Sequence, residues 1–369
     1  NNFITYDFGT RTAERTYDTV VSFTNNNNYA ITVIGCKFLS SYSFEDFSSS
    51  VELPATIPAA SALDIPIRFT STHNIARTSV CVFYYTIAGS AQVYSYPVFF
   101  EARSVYPESE YSATYGQWGT ELVSSLRNYV SGHTSFTYKQ ARTYMFSDCD
   151  NLEGYVECIY TGRKIKTNTI PTTDFDTEHL WPQSLGAESE PPRSDLHHLR
   201  PTFKNANNAR GSFPFGIVVR ANDNDFNENG SKLGYDKFGN RAFEPRDVSK
   251  GNVARGLLYF GLRYSNPTSF INSQEAMLHE WNLFDRPDSL ERRRNDRVAY
   301  YQKRRNPFVD HPEFAERLSI SDNKFTKPQY SKVDRDTVRF AENASTIACL
   351  INSDAEPELM LDAINSTAF

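Results

Sequence analysis

Thr177-Glu178-His179-Leu180-Trp181-Pro182-Gln183-Ser184, and after it Ser194-Asp195-Leu196-His197-His198-Leu199-Arg200-Pro201, are the two phrases on which the reading of this chain turns. Between them lies a Gly-, Ser- and Pro-containing stretch, Gly186 to Arg193, and beyond them Phe203 to Arg210 reads as a short helix. The order is therefore strand, loop, strand, helix. Side chains alternate along a strand, so Glu178 and His179 face one target only if the strand twists or ends there. Pro182 cannot donate to a ladder and supplies such an ending. Asp195, His197 and His198 are expected on the second strand, where alternation sends one imidazole inward and the other outward, each with a structural partner.

Working outward, the first hundred residues read as all-β. Leu63, Ile65, Ile67 and Phe69 alternate with Asp64, Pro66 and Arg68, which gives one apolar face, and Pro66 suggests an edge strand. Val20 to Thr24, Tyr29 to Ile34, Val80 to Ile87 and Val93 to Phe100 are further strands, spaced as in an Ig-like β-sandwich over 1–103, and Asn25 to Asn28 is a turn. A connector, 104–116, leads into an α+β domain over 117–318. Thr120 is placed to cap a helix carrying Leu122, Leu126 and Val130, with Gly132 as its stop. Thr137 and Gln140 form a capping box for a helix with Ala141 and Met145, and Val253, Leu257, Phe260 and Tyr264 mark a third. The tail, 319–369, is polar, with short β-like pieces at Thr337 to Phe340 and Ser345 to Ile351 and no assigned role.

Composition narrows the class. With 369 residues, 39% hydrophobic and 14% aromatic, the chain can bury two cores, yet no apolar run is long enough for a membrane span. A net charge of -6 excludes a protein that coats nucleic acid with its whole surface, so any polyanion site is local. Asn1 opens the sequence with no basic, apolar leader behind it, which fits a removed signal peptide or a trimmed chain. Five cysteines without a C-x-x-C pair are few for a disulfide scaffold or a structural zinc site. Cys36 with Cys81, or Cys149 with Cys158, can bridge in an oxidising compartment, leaving Cys349 over; the alternative is five buried thiols.

The two phrases carry the groups that phosphodiester hydrolysis needs: a base for water, and relief of charge on the phosphate oxygens. A neutral imidazole takes a proton near physiological pH. Magnesium favours hard oxygen ligands and needs only one or two protein groups, for which Glu178 and an Asn carbonyl suffice. A lone Glu-His pair is more often a surface salt bridge, so the surroundings matter. A zinc site from His179, His197 and His198 lacks a His-Glu-x-x-His phrase or a Cys partner.

Those surroundings resemble the bacterial endonuclease I family of His-Me finger, or ββα-metal, nucleases. The resemblance runs from about Tyr111 to Phe314. It takes in the Glu178 to Ser184 phrase, Arg193 to Leu199, Asn207 to Gly216, Phe243-Glu244-Pro245 and the closing Arg305 to Pro312. It implies a multidomain chain in which an N-terminal all-β Ig-like sandwich is followed by an α+β catalytic domain containing the ββα-metal finger. It further implies His179 as general base, Glu178 and Asn207 as magnesium ligands, with manganese or calcium as substitutes, and Arg193 or Arg210 on the cleaved phosphate. Asp195 and His197 then support the finger. Where the family phrase often has Asn two residues before the Glu, this chain has Asp176, an added carboxylate near the metal.

Asp7-Phe8-Gly9-Thr10 resembles the start of Ig-like modules of the abnormal-spindle and hydin type. Read instead as a kinase magnesium motif it lacks a Gly-rich phosphate loop and a catalytic-loop Asp. Glu291 to Arg305 concentrates basic residues, Arg293, Arg304 and Arg305 among them, which either track a phosphate backbone or form a solvated helix face held by Glu291 and Asp296. Trp181 and Trp281 are assigned to the core. The expectation is a secreted, extracellular, cell-surface or periplasmic endonuclease acting on DNA and RNA, with the sandwich as a means of attachment to a surface or partner. The competing reading is a binding protein whose nuclease half has decayed.

Overall fold

The computed structural model describes residues 5–40, 45–264, 269–321 and 325. The β-like pieces expected at Thr337 to Phe340 and Ser345 to Ile351, Cys349, and most of the 319–369 tail lie outside the described residues. The described chain divides into two compact units, one ending at Gly116 and the next beginning at Gln117.

The first unit holds β1 (Thr5–Thr12), β2 (Thr16–Asn25), β3 (Ile31–Ser40), β4 (Phe47–Ser49), β5 (Ala55–Ile57), β6 (Ser61–Thr70), β7 (Ala76–Ile87) and β8 (Val93–Val105). They form one sheet in the order β1-β8-β7-β3-β5 and a second in the order β2-β6-β4. Phe8, Val33, Phe83 and Phe100 from the first sheet meet Phe23, Phe47, Ile65 and Phe69 from the second in one core. This is a sandwich because alternation gives each sheet one apolar face, and each large side chain so buried contributes about 1.5–3 kcal/mol.

Two expectations change here. β6 is the central strand of its sheet, paired with β2 along its length, and not an edge. Pro66 is tolerated because β4 is short and its ladder stops at Ile67, which leaves Pro66 flanked on one side only. The supposed connector also packs on this unit: β8 runs to Val105, Tyr111 is fully buried, and Asn74 donates to Thr114 at 2.9 Å. At the Asn25 turn the side chain, itself buried, donates to the carbonyls of Tyr29 and Ile57. Cys36, Cys81, Cys149 and Cys158 are all free thiols.

The second unit opens with α1 (Gly119–Ser131) and α2 (Tyr138–Tyr144), which continues as a single π-turn over Met145–Cys149. Thr120 lies inside the first turn of α1, whose N-cap is Trp118 without a side-chain bond, while Gly132 does end the helix. The capping box of Thr137 and Gln140 is present. Next come β9 (Asn151–Leu152), β10 (Tyr155–Glu157), β11 (Lys164–Lys166), β12 (Phe175–His179) and β13 (Leu199–Phe203). These are followed by α3 (Lys204–Arg210), β14 (Asn227–Glu228), β15 (Ser231–Tyr235) and β16 (Arg241–Glu244). The chain then turns helical: α4 (Asp247–Tyr264), α5 (Ser269–Asn272), α6 (Glu275–Phe284), α7 (Ser289–Gln302) and α8 (Pro307–Asp310). No helix among the described residues is long and apolar enough to cross a membrane.

α4 is the spine of this unit. Val253, Leu257 and Phe260 are fully buried, as their four- and three-residue spacing requires, and Trp181 stacks on Phe260 at 4.8 Å. Trp281 is also core. α4 lies close to its neighbours because glycine leaves room: a Cβ at Gly256 would sit 2.5 Å from Leu180 Cδ1, and one at Gly251 would collide with the Asp285 carbonyl at the end of α6. Backbone cannot swing away as a side chain can, so Gly251→Ala is expected to cost about 1–3 kcal/mol. At about 2–4 °C per kcal/mol for a unit of this size, differential scanning calorimetry should show a fall of several degrees; an unchanged Tm would mean that α4 and α6 are not this close.

Candidate functional site

β12 and β13 form an antiparallel hairpin in which Glu178 pairs with Arg200 and His179 with Leu199. β12 ends at His179, where the reading of Pro182 places an end, and both Glu178 and His179 are buried. α3 follows β13 directly, so strand, loop, strand and helix occur in the expected order. Asp195 and His197 do not lie on the second strand, which begins only at Leu199; they belong to the loop before it. Nor do His197 and His198 divide between inside and outside, since both are buried, His197 donating to the Arg304 carbonyl at 3.0 Å and His198 to the Pro192 carbonyl at 2.7 Å.

His179 Nε2 lies 3.0 Å from the carbonyl oxygen of Arg193. A carbonyl only accepts, so Nε2 carries the proton and the lone pair stays on Nδ1. Gln183 Nε2 stands 3.5 Å from that Nδ1. Burial, with the His198 imidazole close by, pushes the His179 pKa down to about 3, so the ring is neutral at physiological pH. The carbonyl that fixes it belongs to the one-turn 3-10 helix Pro192–Ser194, which is held from several sides. His198 donates to Pro192, Ser194 Oγ donates to the Phe136 carbonyl at 2.6 Å, and Glu190 accepts from the Tyr138 backbone at 3.1 Å. The Arg193 guanidinium lies over the Tyr138 ring at 4.7 Å, and the same ring stands 5.3 Å from that of His179.

Glu178 Oε1 accepts from the Tyr160 hydroxyl at 2.8 Å and lies 3.4 Å from Arg210 Nε. Its Oε2 makes no hydrogen bond among the described residues. Burial raises the Glu178 pKa to about 7 against the pull of Arg210 and Tyr160. Arg210, fully buried on α3, donates through Nη1 and Nη2 to the carbonyls of His179 and Leu180, at 3.3 and 2.6 Å. It thereby fastens α3 to the end of β12. Asn207 lies one turn earlier on α3 and shares the helix face from which Arg210 reaches Glu178.

Asp195 is the hub behind the loop. It accepts from the hydroxyls of Tyr259 and Tyr264 and from Gln302, at 3.2, 2.8 and 3.0 Å, and from the His197 backbone. Burial alone would raise its pKa, but the neighbouring imidazoles and these donors hold it at about 2. Asp176 is half-buried, its Oδ1 3.7 Å from Arg142, and its charge adds to the rise at Glu178. Sequence reading missed Tyr160 and Tyr138, which no local pattern marks, and the tie from His198 to Pro192.

The basic stretch is heavily engaged. Arg305 pairs with Asp310 and Asp296, Arg304 donates to the carbonyls of Tyr129 and Lys303, and Arg293 donates to those of Asn151 and Cys149. Asp296 holds that face as the alternative reading has it, but Glu291 is buried against Arg255 instead.

The sequence model of the Endonuclease I family matches residues 118–313. An extracellular ribonuclease of Bacillus amyloliquefaciens is 34% identical, the match covering 57% of this chain and 78% of that protein. The extracellular ribonuclease of Bacillus subtilis (strain 168) is 32% identical over the same shares. Among solved structures, the PapD-like domain 7 of human CEP192 is 9% identical, covering 29% of this chain and 84% of that one, with a TM-score of 0.25, too low to carry a structural argument.

The buried imidazoles set the acid limit of the fold. His179 (about 3), His197 (about 4) and His198 (about 4) all have lowered pKa values from burial, so the stability tied to their neutral forms is complete above about pH 6.5 and lost as pH falls toward 4. Glu178 acts in the opposite direction, its contribution complete below about pH 4.5 and lost as pH rises through about 7. Three imidazoles outweigh one carboxyl, so the urea midpoint of metal-free protein should fall between pH 6.5 and 4; a flat profile there would contradict their burial.

Proposed function

Because the chain belongs to the endonuclease I family, we propose that it is a secreted nuclease whose ββα-metal finger, made by β12, β13 and α3, hydrolyses phosphodiester bonds with His179 as general base. The observation that carries this is the bond from His179 Nε2 to the Arg193 carbonyl, beside a carboxylate with one unclaimed oxygen. It leaves a neutral imidazole with its lone pair on Nδ1, where the Gln183 amide stands 3.5 Å away, which is the state a base must be in to take a proton from water; such transfer contributes about 10²–10⁴-fold.

Glu178 through its free oxygen and Asn207 through its side-chain carbonyl fit a hard divalent ion, and a carboxyl whose pKa burial has raised to about 7 would be stabilised as the carboxylate by such an ion. Magnesium held there, with manganese or calcium as substitutes, would neutralise charge that collects on the phosphate oxygens. Of the two candidate arginines, Arg210 is taken up by backbone carbonyls and Glu178, so its role is to hold the finger closed. Arg193 is half-buried over Tyr138, its guanidinium makes no hydrogen bond among the described residues, and it is the better group for the cleaved phosphate. Arg304 and Arg305 are assigned to structure.

The substrate class is nucleic acid, RNA as the names of the relatives suggest and DNA as well. The relatives' extracellular character supports secretion. The first unit, read as an Ig-like module, serves attachment and not cleavage.

Two outcomes test the reading. With plasmid DNA and with RNA, magnesium should support cleavage, excess EDTA should abolish it, and His179→Ala should lower kcat by about 10²–10⁴-fold with substrate binding kept. Full cleavage in EDTA, or an unimpaired His179→Ala variant, would overturn the assignment. Independently of activity, magnesium at pH 8 should raise the Tm, and Glu178→Gln should remove that rise; a rise that survives the substitution places the ion elsewhere.

A further inference from the structure

Below the hairpin, between β10, β13 and the first turns of α4 and α7, lies a cleft of about 490 Å³ that includes Arg200 among its walls. Arg200 is 5% exposed, and its guanidinium makes no hydrogen bond among the described residues; its Nε is sealed off without a partner. The carboxylate oxygen that comes nearest as an ion-pair partner, Asp150 Oδ1, is 3.9 Å from Nη1. That carboxylate is already held by Arg294, through bonds of 2.7 and 2.9 Å. Glu291, a buried acid on the cleft, is held in the same two-pronged way by Arg255, at 2.9 and 2.5 Å.

Three arginines therefore share Asp150 and Glu291, and Arg200 is the one that hydrogen-bonds to neither; among the other acids on the cleft, Glu157 is held by Lys164 and Arg246, and Asp288 caps α7. Burial first, and then the charge of Arg294, lower its pKa to about 10. It stays protonated at physiological pH, so the cleft holds a buried guanidinium with no hydrogen-bond acceptor among the described residues, whose nearest carboxylate, Asp150 at 3.9 Å, is already held by Arg294. The surroundings add to it. Ser249 and Asn252 bring the N-terminal turns of α4 to the cleft and Leu290 that of α7, and helix N-termini favour anions.

We propose that this cleft is an anion site in which Arg200 takes up a phosphate group, separate from the His179 site. The planar fork of a guanidinium matches a tetrahedral oxyanion bidentately, and the volume suits such a group better than a single halide. The group is either free inorganic phosphate or one phosphate of a nucleic-acid strand. The proposal does not rest on the nuclease reading, because its probe is phosphate itself and its readout is not cleavage.

The experiment is thermal unfolding of the full chain in EDTA, in sodium phosphate and in sodium chloride at matched ionic strength and pH. Phosphate should raise the Tm of the wild type saturably, by about 2–4 °C at concentrations well above Kd. Arg200→Met should fold, because it removes a buried charge that hydrogen-bonds to no carboxylate, and should lose the phosphate-specific rise. Arg200→Lys, which keeps the charge without the fork, guards against a folding failure of the first variant and should show a phosphate Kd weaker by at least about tenfold. No phosphate-specific rise in the wild type, an equal rise in Arg200→Met, or an unchanged Kd in Arg200→Lys would each overturn the proposal. A short fluorescent oligonucleotide, titrated in EDTA into His179→Ala with and without Arg200→Met, separates the two sources. Weaker binding on loss of Arg200 identifies a strand phosphate, and unchanged binding together with the phosphate-specific Tm rise identifies the free ion.

Discussion

A buried imidazole that donates from one nitrogen to a main-chain carbonyl has only one way to be neutral, and at His179 that constraint organises the site. The bond to Arg193 fixes the proton on Nε2 and leaves the lone pair on Nδ1. It also requires that the turn offering the carbonyl stay in place. His198 on the neighbouring carbonyl, Ser194 on Phe136 and Glu190 on the Tyr138 backbone all meet that need. On the other side Arg210 ties the last residues of β12 to α3, so the strand end, the turn and the helix behave as one body.

Charge placement explains much of what lies behind this body. The chain is acidic overall, yet its second unit buries arginines in pairs with carboxylates, Arg255 with Glu291 and Arg294 with Asp150. Arg294 also donates to the carbonyls of Leu196 and Leu199, so the pairing extends to the entry of β13. Such pairs gain little net stability over apolar residues but fix the register of the elements that carry them. Against that background an arginine without its own carboxylate, or a carboxylate with an unclaimed oxygen, is informative: the first occurs at Arg200 and the second at Glu178.

The hairpin and helix around His179 were legible because their signals are local: two strand-like phrases, a Gly- and Pro-bearing loop and a short polar helix. The capping box at Thr137 and the core face of α4 were legible for the same reason. What misled was the reach of local rules. Pro66 argued for an edge strand, but a three-residue neighbour allows a central one. His197 and His198 were read by strand alternation, whereas the strand had not yet begun, and the rings answer to the carbonyls of Arg304 and Pro192. Tyr160, which supports Glu178 from a loop eighteen residues away, and the unbonded guanidinium of Arg200 depend on tertiary pairing that no window of sequence contains.

The central claim is that a neutral His179 and a cation bound by Glu178 and Asn207 converge on one ester. Anomalous diffraction from crystals grown with manganese tests it most directly. The account expects one peak within about 2–2.5 Å of a Glu178 carboxylate oxygen and the Asn207 side-chain oxygen, with His179 Nδ1 unligated. A peak ligated by His179, or Glu178 and Asn207 too far apart for one ion to touch both, would contradict it.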